Sequence, residues 1–234
     1  MAGLEQWDRL LTLWINQPAG KSAVLDKFVA DVADSELVKG GIYLALYWWL
    51  WFDRPTKRRG VVVALVAAVG TVIVSRGMQF FLPFHQRPIL DPSLGLHVPL
   101  SVRPETYNVF SSFPSDTAAL FFALSFPLWA RSRGLGAGAM LWAFVFICVP
   151  RVYLGIHYVS DVFAGIVLGV GFMAIVCPLL ARTRLPGRVV WFEAAHPAIF
   201  YGLAFTASLE LATLFFDLRQ FALDGVNFVK MLRG

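Results

Sequence analysis

The chain has 234 residues, of which 58% are hydrophobic and 15% charged, with a mean hydropathy of +0.65. A soluble domain carries about 25% charged residues, so a fully water-exposed surface is excluded. The net charge of +5 does not point to nucleic acid, because the basic residues fall in short clusters between apolar runs rather than along one face.

The first segment, residues 4–16, places Leu4, Trp7, Leu11, Trp14 and Ile15 on one helical face, away from Glu5, Asp8 and Arg9. Those charges interrupt the apolar start, and no small-residue cleavage site follows a basic one, so no cleavable signal peptide is expected. Residues 22–33 repeat the pattern with Val24, Leu25, Phe28, Val29 and Val32. Both segments suit amphipathic helices in the membrane interface, or equally helices packed on a bundle. Six apolar runs follow, at 37–52, 60–82, 115–130, 136–153, 159–181 and 197–216. A bilayer core about 30 Å thick needs roughly 20 residues of helix, so the first and third runs are short by that measure. The expected fold is an all-α membrane protein, a six-transmembrane-helix bundle with N-terminal interfacial amphipathic helices. Its parts are residues 1–34, a transmembrane domain over 35–218 and a tail over 219–234.

Trp48, Trp49 and Trp51 close the first run like an aromatic belt, and Gly165 and Gly169 allow close helix contact within the fifth. Cys148 and Cys177 lie inside apolar runs and read as inert buried thiols. Arginine and lysine set the orientation. Arg54, Lys57, Arg58, Arg59, Arg131, Arg133, Arg182, Arg184 and Arg188 fall in the loops at one side, whereas the opposite loops hold only Arg87 and Arg103, with Arg151 at a helix end. The first group is expected in the cytoplasm, and both termini and the 154–158 loop outside.

Chemistry concentrates in that outer loop, "RVYLGIHYVSD". His157 and Asp161 are four apart, a spacing that stacks them on a helix so that the carboxylate holds one imidazole nitrogen. The other nitrogen is left as nucleophile or base. Arg151 offers a planar fork suited to phosphate oxygens. The plainer alternative, a snorkelling arginine beside a helix-capping histidine, is equally compatible with this stretch alone. On the same side "FHQRP" supplies Arg87, and "SSFPSD" supplies Ser115 and Asp116 at a helix start whose N–H groups form an anion seat. Asp116 sits awkwardly beside a phosphate unless it turns toward an arginine. A nucleophile, two guanidinium groups and a helix N-terminus are the requirements of phosphoryl transfer.

These residues resemble the membrane branch of the type 2 phosphatidic acid phosphatase superfamily, whose motifs are K-x6-R-P, P-S-G-H and S-R-x5-H-x3-D. Pro150-Arg151, His157 and Asp161 match the third with Pro for Ser, Pro114-Ser115-Asp116-Thr117 matches the second, and Arg87-Pro88 is what remains of the first. The "FPSD" variant, the short N-terminal helix and Val24-Leu25-Asp26 are most similar to bacterial undecaprenyl-diphosphate phosphatases. The resemblance covers roughly residues 20 to 181. It implies a metal-independent and cofactor-free lipid phosphatase, with no nucleic-acid partner. It would sit in the bacterial cytoplasmic membrane with its site outside, acting on a polyprenyl diphosphate or another phospholipid phosphate. His157 would form a phosphohistidine, Asp161 would orient it, and Arg87, Arg151, Ser115, Asp116 and Thr117 would line the phosphate site.

Two departures stand out. Phe80 occupies the position of the first-motif lysine, with Arg76 one turn earlier and Gln79 adjacent. Thr117 replaces the histidine that protonates the leaving group, and a threonine hydroxyl is no acid near neutral pH. Expelling a phosphate monoester, with a second pKa of about 6, needs less help than expelling an alkoxide, so a diphosphate substrate is expected. His85 and His97 are candidate substitute acids, while His196 falls on the cytoplasmic side. Glu210, inside the sixth run, is a functional candidate outside the site, paired with Arg76 or lining a lipid groove. A phosphotransferase, or a silent lipid-phosphate binder that has lost both lysine and histidine, are the competing functions.

Overall fold

The computed structural model describes residues 2–100, 102 and 111–215, and among them the regular structure is helical throughout. Arg103 and the 219–234 tail lie outside the described residues. The helices are α1 (Ala2–Asn16), α2 (Ala23–Asp34), α3 (Ile42–Asp53), α4 (Arg58–Phe81), α5 (Asp116–Arg131), α6 (Arg133–Trp142), α7 (Val149–Tyr153), α8 (Val159–Ala181), α9 (Leu185–Ala195) and α10 (Pro197–Ala212). A π-helical turn at Leu37–Gly41 leads into α3, and another at Ala143–Cys148 joins α6 to α7. Helices occupy all six apolar runs. Among the described residues three stretches are long and apolar enough to cross a bilayer: Pro55–Phe81, Arg133–Tyr153 and Val159–Ala181. Residues 182–192, read from the sequence as a loop, instead form most of α9.

Helix α5 is the axis of the bundle. Leu120, Phe121, Leu124 and Leu128 are buried, as are the small Ala118, Ala119 and Ala123. Gly165 and Gly169 of α8 lie against the backbone carbonyls of Ser115 and Ala119, where any Cβ would collide with main chain. The two glycines therefore serve contact inside the bundle, and they set the N-terminus of α8 beside that of α5. Helix α4 runs the other way: Gly70 meets Phe172 of α8 midway, and Gln79 near its end donates to the Pro114 carbonyl at 2.8 Å. The end of α4 and the starts of α5 and α8 thus converge.

At the opposite end Arg58 pairs with Glu193 of α9 at 2.8 Å and lies over the Trp51 ring at 5.2 Å. Tyr201 of α10 donates to Glu193 and accepts from the Trp51 indole. These bonds tie α3, α4, α9 and α10 together. Much of the outer surface is apolar, with Phe163, Ile175 and Phe205 each about two-thirds exposed. An apolar surface this extensive matches contact with lipid.

Helix α1 turns its apolar face outward, with Leu4, Trp7 and Trp14 largely exposed, and its polar stripe of Asp8, Thr12 and Asn16 inward. In α2, Asp26 is fully buried and accepts from Tyr153 Oη at 2.6 Å and from the amides of Gly20 and Leu100. Both N-terminal helices therefore use buried polar bonds to hold the segment that precedes α8. Glu210 does not pair with Arg76: its Oε2 is buried with no hydrogen-bond partner among the described residues.

Candidate active site

The turn from α7 to α8 is closed by its own backbone, because the Arg151 carbonyl accepts from the amides of Ile156 and His157 at 3.0 and 3.3 Å. Gly155 has φ +69° and is packed against Leu96 and Ile89, so this turn requires a residue without a side chain. Its carbonyl takes the Ile89 amide at 2.8 Å, and Arg87 Nη1 donates to the Ile156 carbonyl at 2.9 Å. The segment carrying Arg87 is thereby laid against the segment carrying His157.

His157 is buried in this turn, ahead of α8 rather than on it. The i, i+4 spacing does bring it to Asp161, but the contact of Nδ1 with Asp161 Oδ2 is 3.6 Å, which supplies charge and no hydrogen bond. The bond to Nδ1 is made instead by the Ser112 carbonyl at 2.9 Å. A carbonyl only accepts, so Nδ1 carries the proton and Nε2 keeps its lone pair. Burial and the neighbouring Arg87 lower the His157 pKa below the ordinary 6.5, against the opposing pull of Asp161, and the ring stays neutral at neutral pH.

Asp161 is fully buried and fixed by the local fold: Oδ2 caps α8 by accepting from the Tyr158 amide at 2.8 Å, and its carbonyl receives the Ser115 amide at 3.0 Å. Its Oδ1 lies 3.2 Å from Nδ1 of a second imidazole, His85. The His85 ring also hydrogen-bonds Ser112 Oγ at 2.9 Å, and its backbone is bracketed by Ser111 and Ser112. One carboxylate therefore stands between two histidines. The adjacent Asp161 raises the His85 pKa above 6.5, although partial burial opposes it. His97 is exposed, and its main chain is held by Asn16.

Ser115 caps α5, its Oγ accepting from the Ala118 amide at 3.3 Å. Asp116 resolves its awkward position by pairing with Arg76, and its other oxygen accepts from the Thr117 amide at 2.8 Å and from the Thr117 hydroxyl at 3.4 Å. Arg76 also donates to Gln79, which continues to Pro114. Arg151 and Arg87 both lie within electrostatic reach of Asp116. The Nε of Arg151 is buried without a hydrogen-bond partner among the described residues. Three guanidinium groups thus face two carboxylates, and the cluster keeps surplus positive charge for an anion. No group of three or more His, Cys, Asp or Glu suited to a metal ion occurs among the described residues.

Sequence reasoning missed three contributors. The Arg76–Asp116 pair depends on how α4 packs against α5, and Ser112 carries no signal because its backbone carbonyl holds His157. The third is Asp8 with its neighbour Thr12. Thr12 Oγ1 accepts from the Val159 amide at 3.2 Å, and Asp8 accepts from the Ser160 amide at 2.8 Å and hydroxyl at 2.6 Å. Helix α1 thereby supplies partners for the first free N–H groups of α8, immediately before Asp161. Asp8 is a positioning residue on this geometry. Asp8→Ala is expected to lower kcat by up to about 10²-fold with little change in KM, the scale of a small misplacement of reacting groups. Asp8→Asn, which retains one acceptor, should fall between the variant and the wild type. Steady-state hydrolysis in detergent measures both, and an unchanged kcat in Asp8→Ala would remove the role.

The chain is similar to known proteins over this same region. It is 31% identical to the putative undecaprenyl-diphosphatase YbjG of Escherichia coli (strain K12), across 65% of this chain and 67% of that protein. It is 28% identical to the lipid A 1-diphosphate synthase of the same organism, across 64% of this chain and 62% of that protein. The crystal structure of Aquifex aeolicus LpxE superposes with a TM-score of 0.52 at 26% identity, covering 72% of this chain and 93% of that one. Residues 62–184, just over half the chain and the stretch bearing both arginine motifs, His157 and Asp161, match the profile of the PAP2 superfamily, and the chain belongs to that family.

Proposed function

We propose that the chain is an integral membrane lipid phosphatase that removes the terminal phosphate of a polyprenyl diphosphate. The observation that carries this reading is the tautomer of His157: a buried imidazole whose Nδ1 proton is held by the Ser112 carbonyl presents Nε2 as a nucleophile. Nε2 attacks the terminal phosphorus, the bridging P–O bond breaks, and the lipid monophosphate leaves. Water then cleaves the N–P bond and restores the imidazole. Asp161 stabilises the positive charge that develops on His157, while Arg87 and Arg151 hold the phosphoryl oxygens, helped by the α5 N-terminus at Ser115, Asp116 and Thr117. Arg76 neutralises Asp116 so that the anion is not repelled.

In this reading all six apolar runs cross the membrane. The three shorter ones are shielded by their neighbours or extended by flanking residues. The cluster of arginines at the far end lies in the cytoplasm, the site opens on the outer face of a bacterial inner membrane, and α1 rests in the interface on Leu4, Trp7 and Trp14. A polyprenyl diphosphate is supported by the likeness to YbjG and by Thr117, which withholds the usual acid from monoester substrates. Purified protein is expected to release phosphate from undecaprenyl diphosphate faster than from a matched lipid monophosphate. Equal or faster release from the monophosphate would sink the substrate assignment.

The likeness to a lipid A 1-diphosphate synthase favours a second reading, transfer of the phosphoryl group to a lipid hydroxyl or phosphate. Products separate the two. Free phosphate marks the hydrolase and a newly phosphorylated lipid marks the transferase.

A further inference from the structure

At the end of the bundle away from His157 lies a feature the catalytic reading leaves unused. A cavity of about 450 Å³ is lined by Arg59 from the start of α4 and by Arg184 and Arg188 around the start of α9, with Trp191 at its side. Arg59 rests over the first turn of α9, its Nη2 only 3.3 Å from where a Gly187 Cβ would lie, so the glycine admits the guanidinium. None of the three arginines has an acidic partner within ion-pair distance among the described residues. Their neighbours Arg54, Arg58 and Arg131, by contrast, are paired with Asp53 or Glu193. Asp161 and Ala181 sit at opposite ends of α8, about 30 Å apart at 1.5 Å per residue, so this cavity is no part of the catalytic cluster.

The cavity is continuous with a second one. A groove of about 610 Å³ between α4, α5 and α8 shares Arg59, Ala181 and Pro186 with it and runs on over Val63, Ala64 and Phe126. A cationic pocket opening into an apolar groove between helices has the chemistry of one ligand class, an anion joined to a hydrocarbon chain.

We infer that this pair of cavities is a binding site for an anionic phospholipid, with its headgroup phosphate on Arg59, Arg184 and Arg188 and an acyl chain along the groove. The guanidinium forks suit phosphate oxygens, and the groove between the helices packs the acyl chain by van der Waals contact. The site is separate from the catalytic reading and stands whether or not that reading holds.

The test is thermal unfolding of the full chain in a neutral detergent with phosphatidylglycerol, phosphatidylcholine or inorganic phosphate added. Phosphatidylglycerol at a hundredfold excess over its Kd is expected to raise the midpoint by about 5–10 °C, and the other two by far less. The combined Arg59→Gln, Arg184→Gln, Arg188→Gln variant should lose that rise. A control with Arg54→Gln, Arg133→Gln and Arg182→Gln, which removes equal charge from the same end, should keep it. Equal loss in both variants would reduce the effect to net charge and overturn the site. A rise with inorganic phosphate as large as with the lipid would show an anion pocket with no role for the groove, and would also overturn it. Should the triple variant not fold, native mass spectrometry of the wild type decides. One retained phosphatidylglycerol per chain in preference to phosphatidylcholine supports the site, and equal retention overturns it.

Discussion

Replacing His157 by alanine is expected to lower phosphate release by about 10⁴-fold or more, the scale seen when a nucleophile is removed from a group that acts as a unit. That is a loss of about 5.5 kcal/mol of transition-state stabilisation, at 1.36 kcal/mol per tenfold. The cause is chemical rather than structural, because the His157 side chain makes one hydrogen bond among the described residues, that to the Ser112 carbonyl, and alanine keeps the backbone bond to Arg151. Folding should therefore survive, with a thermal midpoint close to that of the wild type. Substrate labelled in its terminal phosphate and stopped with alkali should leave label on the wild-type protein and none on His157→Ala. Asp161→Asn is expected to act differently. It keeps the size of the side chain but removes the charge beside both imidazoles, and it weakens the cap on the Tyr158 amide, so activity and stability should fall together. Label retained by His157→Ala at the wild-type level would place the nucleophile elsewhere.

Much of this site is legible in the sequence because its parts are short and local. Arg151, His157 and Asp161 flank and occupy the short α7–α8 turn, and Ser115 and Asp116 open a single helix, so chain proximity enforces spatial proximity. The apolar runs were equally readable, since a helix that meets lipid cannot hide its composition. The failures share a cause. The partner of His157 is a backbone carbonyl 45 residues away, and a main-chain group leaves no trace in residue identity. The spacing of His157 and Asp161 suggested neighbours on a helix, whereas His157 precedes α8 and reaches Asp161 through the turn. Arg76 pairs with Asp116, a contact that depends on how α4 packs against α5 and that residue spacing alone does not fix. The role of Asp8 leaves no trace because an amphipathic pattern shows which residues share a face and not what that face meets, and in α1 the polar stripe turns inward. Residues 182–192 looked like a loop for want of a long apolar run, yet Pro186 near its start and the Glu193 contact to Arg58 make α9 a helix.

His85→Ala should discriminate between substrates more sharply than any other single change. With Thr117 in the position of the usual acid, His85 is the imidazole that remains beside Asp161, and its raised pKa keeps more of it protonated near neutral pH. If it protonates the leaving oxygen, its loss should reduce monophosphate hydrolysis by about 10²–10⁴-fold, the usual worth of a general acid. Release from a diphosphate should fall by only about tenfold or less, because a leaving phosphate with a second pKa of about 6 departs without a proton. The pH profile gives an independent reading. His157 must be neutral to attack, so activity is lost as pH falls through its lowered pKa, and this sets the acidic limb. His85 must be protonated to donate, so activity on the monophosphate is lost as pH rises through its raised pKa, which sets the alkaline limb. The charges facing His85 are Asp161 from α8 and Asp8 from α1, while Arg87, Asp116 and Asp161 face His157, and these surroundings drive the two values apart. The wild-type profile on monophosphate should be bell-shaped and centred near neutrality. In His85→Ala the alkaline limb should flatten while the acidic limb stays in place. An alkaline limb unchanged in that variant, with equal losses on both substrates, would assign His85 to packing alone.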